Sequence, residues 1–199
     1  DGNSSHDILI ICNPLDEDYE KYTFDRIKVN ETYELYINKI YPKIINQNLS
    51  WMHNIINGIS EKQKIVLNTN DIVLVKDLKW STDTMRDMYY LVIFKDHNLK
   101  SIRELNGSHV ELLEKTRDLC IDKIVSLHNI NKNKLRLYFH YHPTFWQLHL
   151  HINLIDRQWD GSSSDYAHPL YSVINNIKLV SNYYQLVTLD VKALKNKYD

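Results

Sequence analysis

Gln147-Leu148-His149-Leu150-His151-Ile152 carries the strongest structural signal in the chain. Side chains of a β-strand alternate between its faces, so Gln147, His149 and His151 share one face and three apolar residues share the other. Two imidazoles are thereby aimed at one surface. A neutral imidazole is a nucleophile, a proton carrier and a metal ligand near neutral pH, so the pair fits phosphoryl or acyl transfer, or metal binding. A half-exposed antiparallel strand with its polar residues outward gives the same alternation.

Upstream, Leu135 to His142 reads as a strand ending Phe139-His140-Tyr141-His142, and Phe145 to Ile155 as the strand that carries the decisive stretch. Pro143-Thr144 separates them as a tight turn, because proline cannot donate to a sheet ladder. Antiparallel pairing then brings some of the four histidines together. Zinc is poorly served: each pair is too close in sequence to fill tetrahedral positions, and no cysteine or carboxylate follows at a familiar spacing. Phosphoryl transfer is served better. One neutral ring attacks phosphorus in line, a phosphoramidate forms, neighbouring donors neutralise the oxygens, and water completes hydrolysis. If His149 attacks, its other nitrogen must stay protonated on an acceptor, most simply a backbone carbonyl.

Working outward, Ser108 with Glu111 three residues later forms a capping-box pattern before a long amphipathic helix, with Val110, Leu113, Cys120, Ile124 and Leu127 on its inner face. Glu31 to Ile59 reads as two helices broken near Pro42, with Gly58 at the end of the second. Lys64 to Leu67 and Ile72 to Val75 form a hairpin, and Tyr89 to Lys95 a strand after a short polar helix. A strand is expected at Ile8 to Cys12, a helix at His168 to Val180, a strand at Tyr184 to Leu189, and a short helix or disorder in the Lys-rich tail. The fold class is therefore α+β: an antiparallel sheet with one long helix and flanking helices.

The 199 residues are 43 % hydrophobic, enough for one sizeable core. A net charge of −1 argues against a broad cationic face for long nucleic acid, and leaves room for a small anionic ligand. Cys12 and Cys120 are too few and too far apart for a disulfide framework, which fits a reducing compartment. There is no apolar run of membrane-spanning length and no cationic secretory start, so the chain reads as soluble, without a membrane partner, and cytoplasmic or nuclear.

His149-Leu150-His151-Ile152 resembles the histidine-triad motif of nucleotide hydrolases and transferases. With its surroundings it resembles the scavenger mRNA decapping enzymes of that superfamily. The residues that carry this are Asp77-Leu78-Lys79-Trp80, Ser101-Ile102-Arg103-Glu104-Leu105, Leu135 to Tyr141, Pro143, and Trp51 followed ten positions later by Glu61. The resemblance implies a histidine-triad fold, a homodimer, and metal-independent, cofactor-free hydrolysis of 7-methylguanosine cap dinucleotides or short capped RNA to 7-methylguanosine monophosphate. It places the nucleophile at His149, the last triad residue at His151 and a preceding-strand histidine at His140. Trp51 and Leu78 match the pair that sandwich the methylated base, and Glu61 and Asp77 match acids at its edge. Lys79 and Thr144 match phosphate contacts. The chemistry is coherent, because N7 methylation makes guanine cationic and an indole attracts it by about 1–2 kcal/mol, while a carboxylate accepts its edge hydrogens.

The chain departs from that pattern in places. Gln147 stands at the first triad position, where it can still hydrogen-bond phosphate, so an altered rate is expected. Lys76 replaces a proline, and Tyr166 lies where an arginine is expected. Residues 1–30 read as a truncated N-terminal segment ahead of a catalytic domain over 31–199, so the swapped lid domain of the family is expected to be partly missing. Two other readings stay open: a histidine-triad hydrolase of dinucleoside polyphosphates or phosphoramidates, and a non-catalytic cap-binding module.

Overall fold

The computed structural model describes residues 26–60, 62–80, 82, 84–157, 159, 161–162, 164, 166–194 and 197–198. Its centre is an antiparallel sheet of β2 (Ile65–Asn68), β3 (Ile72–Lys76), β4 (Tyr89–Phe94), β5 (Leu135–His140), β6 (His149–Leu154) and β7 (Ala167–Pro169), in the order β2-β3-β4-β6-β5-β7. Strand β4, Tyr-Tyr-Leu-Val-Ile-Phe, is buried at every position. A strand with apolar residues on both faces needs cover on both, and β4 has it.

Register sorts the side chains. Ile93 pairs with His149 and Leu91 with His151, while Val73 pairs with Ile93 and Val75 with Leu91. Directly paired residues point the same way, so these form one face with the histidines. Helix α2 (Ser50–Ile56) covers the β3–β4 part of this face, burying Met52, Ile55 and Ile56 against Val73, Val75, Leu91 and Ile93. Each such side chain contributes about 1.5–3 kcal/mol. The other face, with Leu74, Val92, Leu137, Leu150 and Ile152, packs in the main core with α3 (Val110–His128) and α4 (Leu170–Leu179).

The α+β architecture is the one expected, and several local expectations need correction. Pro42 does not break the first helix. Helix α1 runs over residues 33–44 as an α turn Tyr33–Leu35, a π stretch Tyr36–Ile40 and a second α turn Tyr41–Ile44, and Pro42 is carried near the start of the last turn, where its missing N–H costs little. Gly58 does end α2: its φ is 65°, its N–H reaches Ile55 O at 2.9 Å and Ile59 N–H reaches Asn54 O at 2.7 Å, a Schellman closure. Ser108 is not the cap of α3. Asn106 caps a 3₁₀ turn, Gly107–His109, that runs into the helix, and Ser108 Oγ donates to Asn106 Oδ1 at 2.6 Å. Leu127, expected on the inner face, is half exposed, and Thr116 joins Leu113, Cys120 and Ile124 inside.

Strand β5 stops at His140 and β6 starts at His149, so the expected tight turn is a longer connection over residues 141–148. Near the C-terminus, His168 lies in β7 and the helix begins at Leu170; Tyr183–Leu186 is a short helix, α5, not a strand. The tail instead supplies β8 (Leu189–Leu194), which pairs antiparallel with β1 (Arg26–Glu31) from Glu31↔Leu189 to Arg26↔Leu194. Ile8 to Cys12 lies outside the described residues. Among those described, no helix is long and apolar enough to cross a membrane.

Glu31, at the end of β1, and Arg103, on the Ile102–Glu104 turn after β4, are both fully buried and tie this second sheet to that turn. Arg103 Nη2 lies 2.9 Å from Glu31 Oε1 and 2.7 Å from its carbonyl, while Nη1 donates to Tyr184 O at 2.7 Å and Val187 O at 3.0 Å. Ser101 and Glu104 form a capping box around the turn that aims Arg103 inward, and Tyr36 OH donates to Glu104 Oε1 at 2.6 Å. The Ser101–Leu105 motif is thus part of the frame.

Candidate active site

His149 is buried at the start of β6, and its Nδ1 lies 2.7 Å from the Gln147 carbonyl. A carbonyl only accepts, so the hydrogen is on Nδ1 and the lone pair of the neutral ring is on Nε2. This is the acceptor a nucleophilic imidazole requires. Gln147 itself is fully buried, with its side-chain NH₂ donating to Phe94 O at 2.8 Å and Asp96 O at 2.7 Å. Both amide hydrogens are spent on fastening the strand end, which leaves none for a phosphate.

His151 lies on the same face, its ring 4.9 Å from His149 and 3.9 Å from His140, the last residue of β5. Its Nδ1 is 2.9 Å from Tyr89 OH. The His140 ring rests against Gly161, whose φ of 86° and missing Cβ make the fit possible: a Cβ there would come within 2.8 Å of His140 Nε2. His142 does not join the cluster. It turns to the frame, where Nε2 donates to Glu31 Oε2 at 2.8 Å. The four hairpin histidines therefore divide three to one.

Burial holds His149 down at about 4, with the Lys79 charge adding to the effect against the Gln147 carbonyl. Burial, then the neighbouring His149 and Lys79, take His140 to about 3. His151 is pushed well below its ordinary value by burial and then by His140, His149 and Lys79. All three rings are neutral at pH 7.

Lys79 sits on a loop built by Asp77. Asp77 Oδ1 accepts from Lys79 N–H at 2.8 Å, and the Asp77 N–H donates to Tyr89 O at 3.0 Å. Trp80 anchors the loop: it is buried, its Nε1 donates to Thr84 O at 3.1 Å, and Lys76 Nζ lies 4.2 Å from its ring centre. The tip is left outside, with Leu78 71 % exposed. Lys79 Nζ lies 5.0 Å from the centre of the Tyr89 ring, on the histidine side. On α2, Trp51 is 48 % exposed and meets Phe145 edge-on at 5.1 Å, and Phe145 stacks on His149 at 4.0 Å. Indole, phenyl and imidazole thus run in a row.

A family model described as "Scavenger mRNA decapping enzyme C-term binding" matches residues 50–166. The chain belongs to this family. It is 35 % identical over 173 residues to the m7GpppX diphosphatase of Caenorhabditis elegans, covering 83 % of this chain and 55 % of that protein. It is 33 % identical over 174 residues to that of Ascaris suum, covering 84 % and 58 %. The chain thus spans somewhat more than half the length of these relatives. Among solved structures, the aprataxin ortholog Hnt3 from Schizosaccharomyces pombe is similar at 19 % identity, covering 70 % of this chain and 79 % of that one, with a TM-score of 0.45.

Of the residues that the sequence singles out in this scavenger decapping family member, His140, His149 and His151 come together, with Lys79 beside them. Trp51 is joined to them through Phe145. Thr144, next to Phe145, is exposed, and the Tyr166 ring lies 4.7 Å from His140. Glu61 lies outside the described residues. Phe145, Tyr89 and Gly161 join the site although sequence patterning does not mark them. Gly161 carries a faint signal as a glycine in a serine-rich loop, but Tyr89 meets His151 only through the β4–β6 register. Among the described residues, no group of three or more His, Cys, Asp and Glu side chains is arranged to hold a metal ion.

Proposed function

We propose that the chain hydrolyses the 7-methylguanosine cap of dinucleotides or short capped RNA without a metal, releasing 7-methylguanosine monophosphate and a nucleoside diphosphate. His149 Nε2 bonds to the phosphorus nearest the methylated nucleoside while the P–O bond to the departing diphosphate breaks and its electron pair leaves with that oxygen. Water then attacks the same phosphorus and releases His149. The observation that carries this reading is the His149–Gln147 carbonyl bond of 2.7 Å, which commits Nδ1 and presents a neutral Nε2 beside Lys79. Family membership supports the substrate class.

In this reading Trp51 and Leu78 flank the methylated base, Asp77 and Glu61 hold its edge, and Lys79 and Thr144 hold phosphates. Gln147 leaves the phosphate set, since its donors are committed. Residues 31–199 make up the catalytic domain, which acts as a homodimer; a monomeric mass by light scattering at micromolar concentration would overturn the latter. The deciding experiment is incubation with methylated and unmethylated cap dinucleotide in chelator, with product identification. Release of 7-methylguanosine monophosphate, with the unmethylated substrate cleaved much more slowly, is expected. Equal cleavage of both would favour a general dinucleotide hydrolase, tight binding without cleavage a cap-binding module, and loss of activity in chelator a metal enzyme.

A further inference from the structure

We propose that Tyr89, Tyr138 and Asn153 form a one-way hydrogen-bond relay that holds His151 in the tautomer with its hydrogen on Nε2, making it a neutral donor to a phosphate oxygen. The relay lies on the histidine face, because Tyr138 pairs with His151 and Tyr89 with Asn153, two positions further along the same strand. Asn153 Nδ2 donates to Tyr138 OH at 2.7 Å, the Tyr138 and Tyr89 hydroxyls are 3.3 Å apart, and Tyr89 OH is 2.9 Å from His151 Nδ1. All four residues are buried, so each hydrogen has to find its partner within the protein.

Counting hydrogens sets the direction. The Asn153 NH₂ can only donate, so Tyr138 receives there and passes its single hydrogen to Tyr89, which passes its own to His151 Nδ1. Turning the relay around would either leave the buried Tyr138 hydrogen without an acceptor or require the Asn153 amide to be reversed. The reversal would leave a buried NH₂, with both hydrogens unpaired, where Asn153 Oδ1 now lacks a partner, a costlier defect than an idle carbonyl. Burial raises the Tyr89 and Tyr138 hydroxyls above the ordinary phenol range, so both keep the hydrogens the relay needs.

With Nδ1 accepting, the hydrogen of a neutral His151 is on Nε2, an atom with no hydrogen-bond partner among the described residues. His149, two residues away, has the opposite arrangement, hydrogen on Nδ1 and lone pair on Nε2. One ring is prepared to attack and its neighbour to donate. No proton changes hands at His151: the diphosphate departs as an anion, and the Nε2–H stabilises charge that builds on oxygen in the transition state. Tyr89, Tyr138 and Asn153 are positioning residues in this scheme.

The inference rests on the cap-hydrolysis reading only for what accepts the Nε2 hydrogen, and its test has two arms. In the ¹⁵N NMR spectrum of the free protein at pH 7, His151 is expected as a neutral ring protonated on Nε2 and His149 as one protonated on Nδ1. In Tyr89→Phe, and to a lesser degree Tyr138→Phe, the His151 signals should move toward a tautomer mixture. On cap dinucleotide, Tyr89→Phe should lower kcat about five- to tenfold while KM stays within about twofold, because the lost donor acts on transition-state charge. A wild-type His151 protonated on Nδ1, or charged at pH 7, overturns the relay without reference to activity. A shifted tautomer with unchanged kcat overturns the donor role. Absence of cap cleavage by the wild type counts against the function alone, and the NMR arm still decides the relay.

Discussion

His149 and His151 are chemically identical side chains on one strand, and what separates them is the atom each Nδ1 meets, a carbonyl at 2.7 Å in one case and a hydroxyl at 2.9 Å in the other. Replacing His149 with Ala removes the attacking nitrogen. Turnover of cap dinucleotide should fall by about a thousandfold or more, some 4 kcal/mol of barrier lowering, while equilibrium binding of the cap stays within a few-fold. Because His149 titrates at about 4, kcat/KM should hold to near pH 5 and drop only as the ring takes a proton below that. The Lys79 cation is one of the causes that keep the proton off. In Lys79→Met the His149 pKa rises, so the acid limb of the profile should move to higher pH, together with a higher KM from the lost phosphate contact. The two histidines were legible in the sequence because alternation is a local property, and Lys79 through the family resemblance. The jobs of Gln147 and His142 were not: each depends on a partner more than fifty positions away, Phe94 for the first and Glu31 for the second.

At the scale of elements, the site is assembled by loops clamped at their bases. Trp80 clamps the Asp77–Lys79 loop, and Gly161 lets its own loop lie against His140. Gly161→Ala is a sharp probe. A Cβ at a φ of 86° is strained, and it would also press on His140 Nε2 at 2.8 Å, so kcat should fall at least tenfold with a smaller loss of stability. The comparison of kinetics with thermal unfolding checks this. Gly58→Ala is the control: its φ of 65° is also left-handed, but nothing stands within 4 Å of the added carbon, so about 1 kcal/mol of stability should be lost with kcat unchanged. Periodicity located most strands and the long helix. It missed the passage of α1 through Pro42 and the strand nature of Leu189–Leu194, because a π stretch and a remote pairing partner override local preference.

Across the whole molecule, the first and last described strands pair, and the Glu31–Arg103 ion pair holds that two-stranded sheet to the Ile102–Glu104 turn that follows β4. Removing one partner leaves the other charge buried and alone. Glu31→Gln or Arg103→Met should each cost about 3–5 kcal/mol in urea denaturation, and the double variant less than the sum. Acid should unfold the protein for two reasons of the same sign. Glu31 is lowered to about 2 by hydrogen bonds and the His142 charge against the opposing effect of burial, so its contribution is present above the unfolded value of 4.5 and is lost as pH falls toward 2. His149 and His168 at about 4, and His140 at about 3, are buried neutral, so the unfolded chain takes up their protons first as pH drops below 6.5. Stability should therefore fall steadily from pH 6.5 to pH 3, read as a declining urea midpoint; a midpoint flat across that range would contradict the buried, neutral state of these rings. The α+β class, the imidazole-bearing strand and the chemistry those imidazoles allow follow from residue type and short spacing, and so are legible in the chain alone. Packing was needed to settle which nitrogen of His151 is free, which histidine leaves the cluster for Glu31, and which aromatic ring joins Trp51 to His149. Each of those outcomes is set by contacts that arise when distant segments are packed together, and local spacing does not encode them.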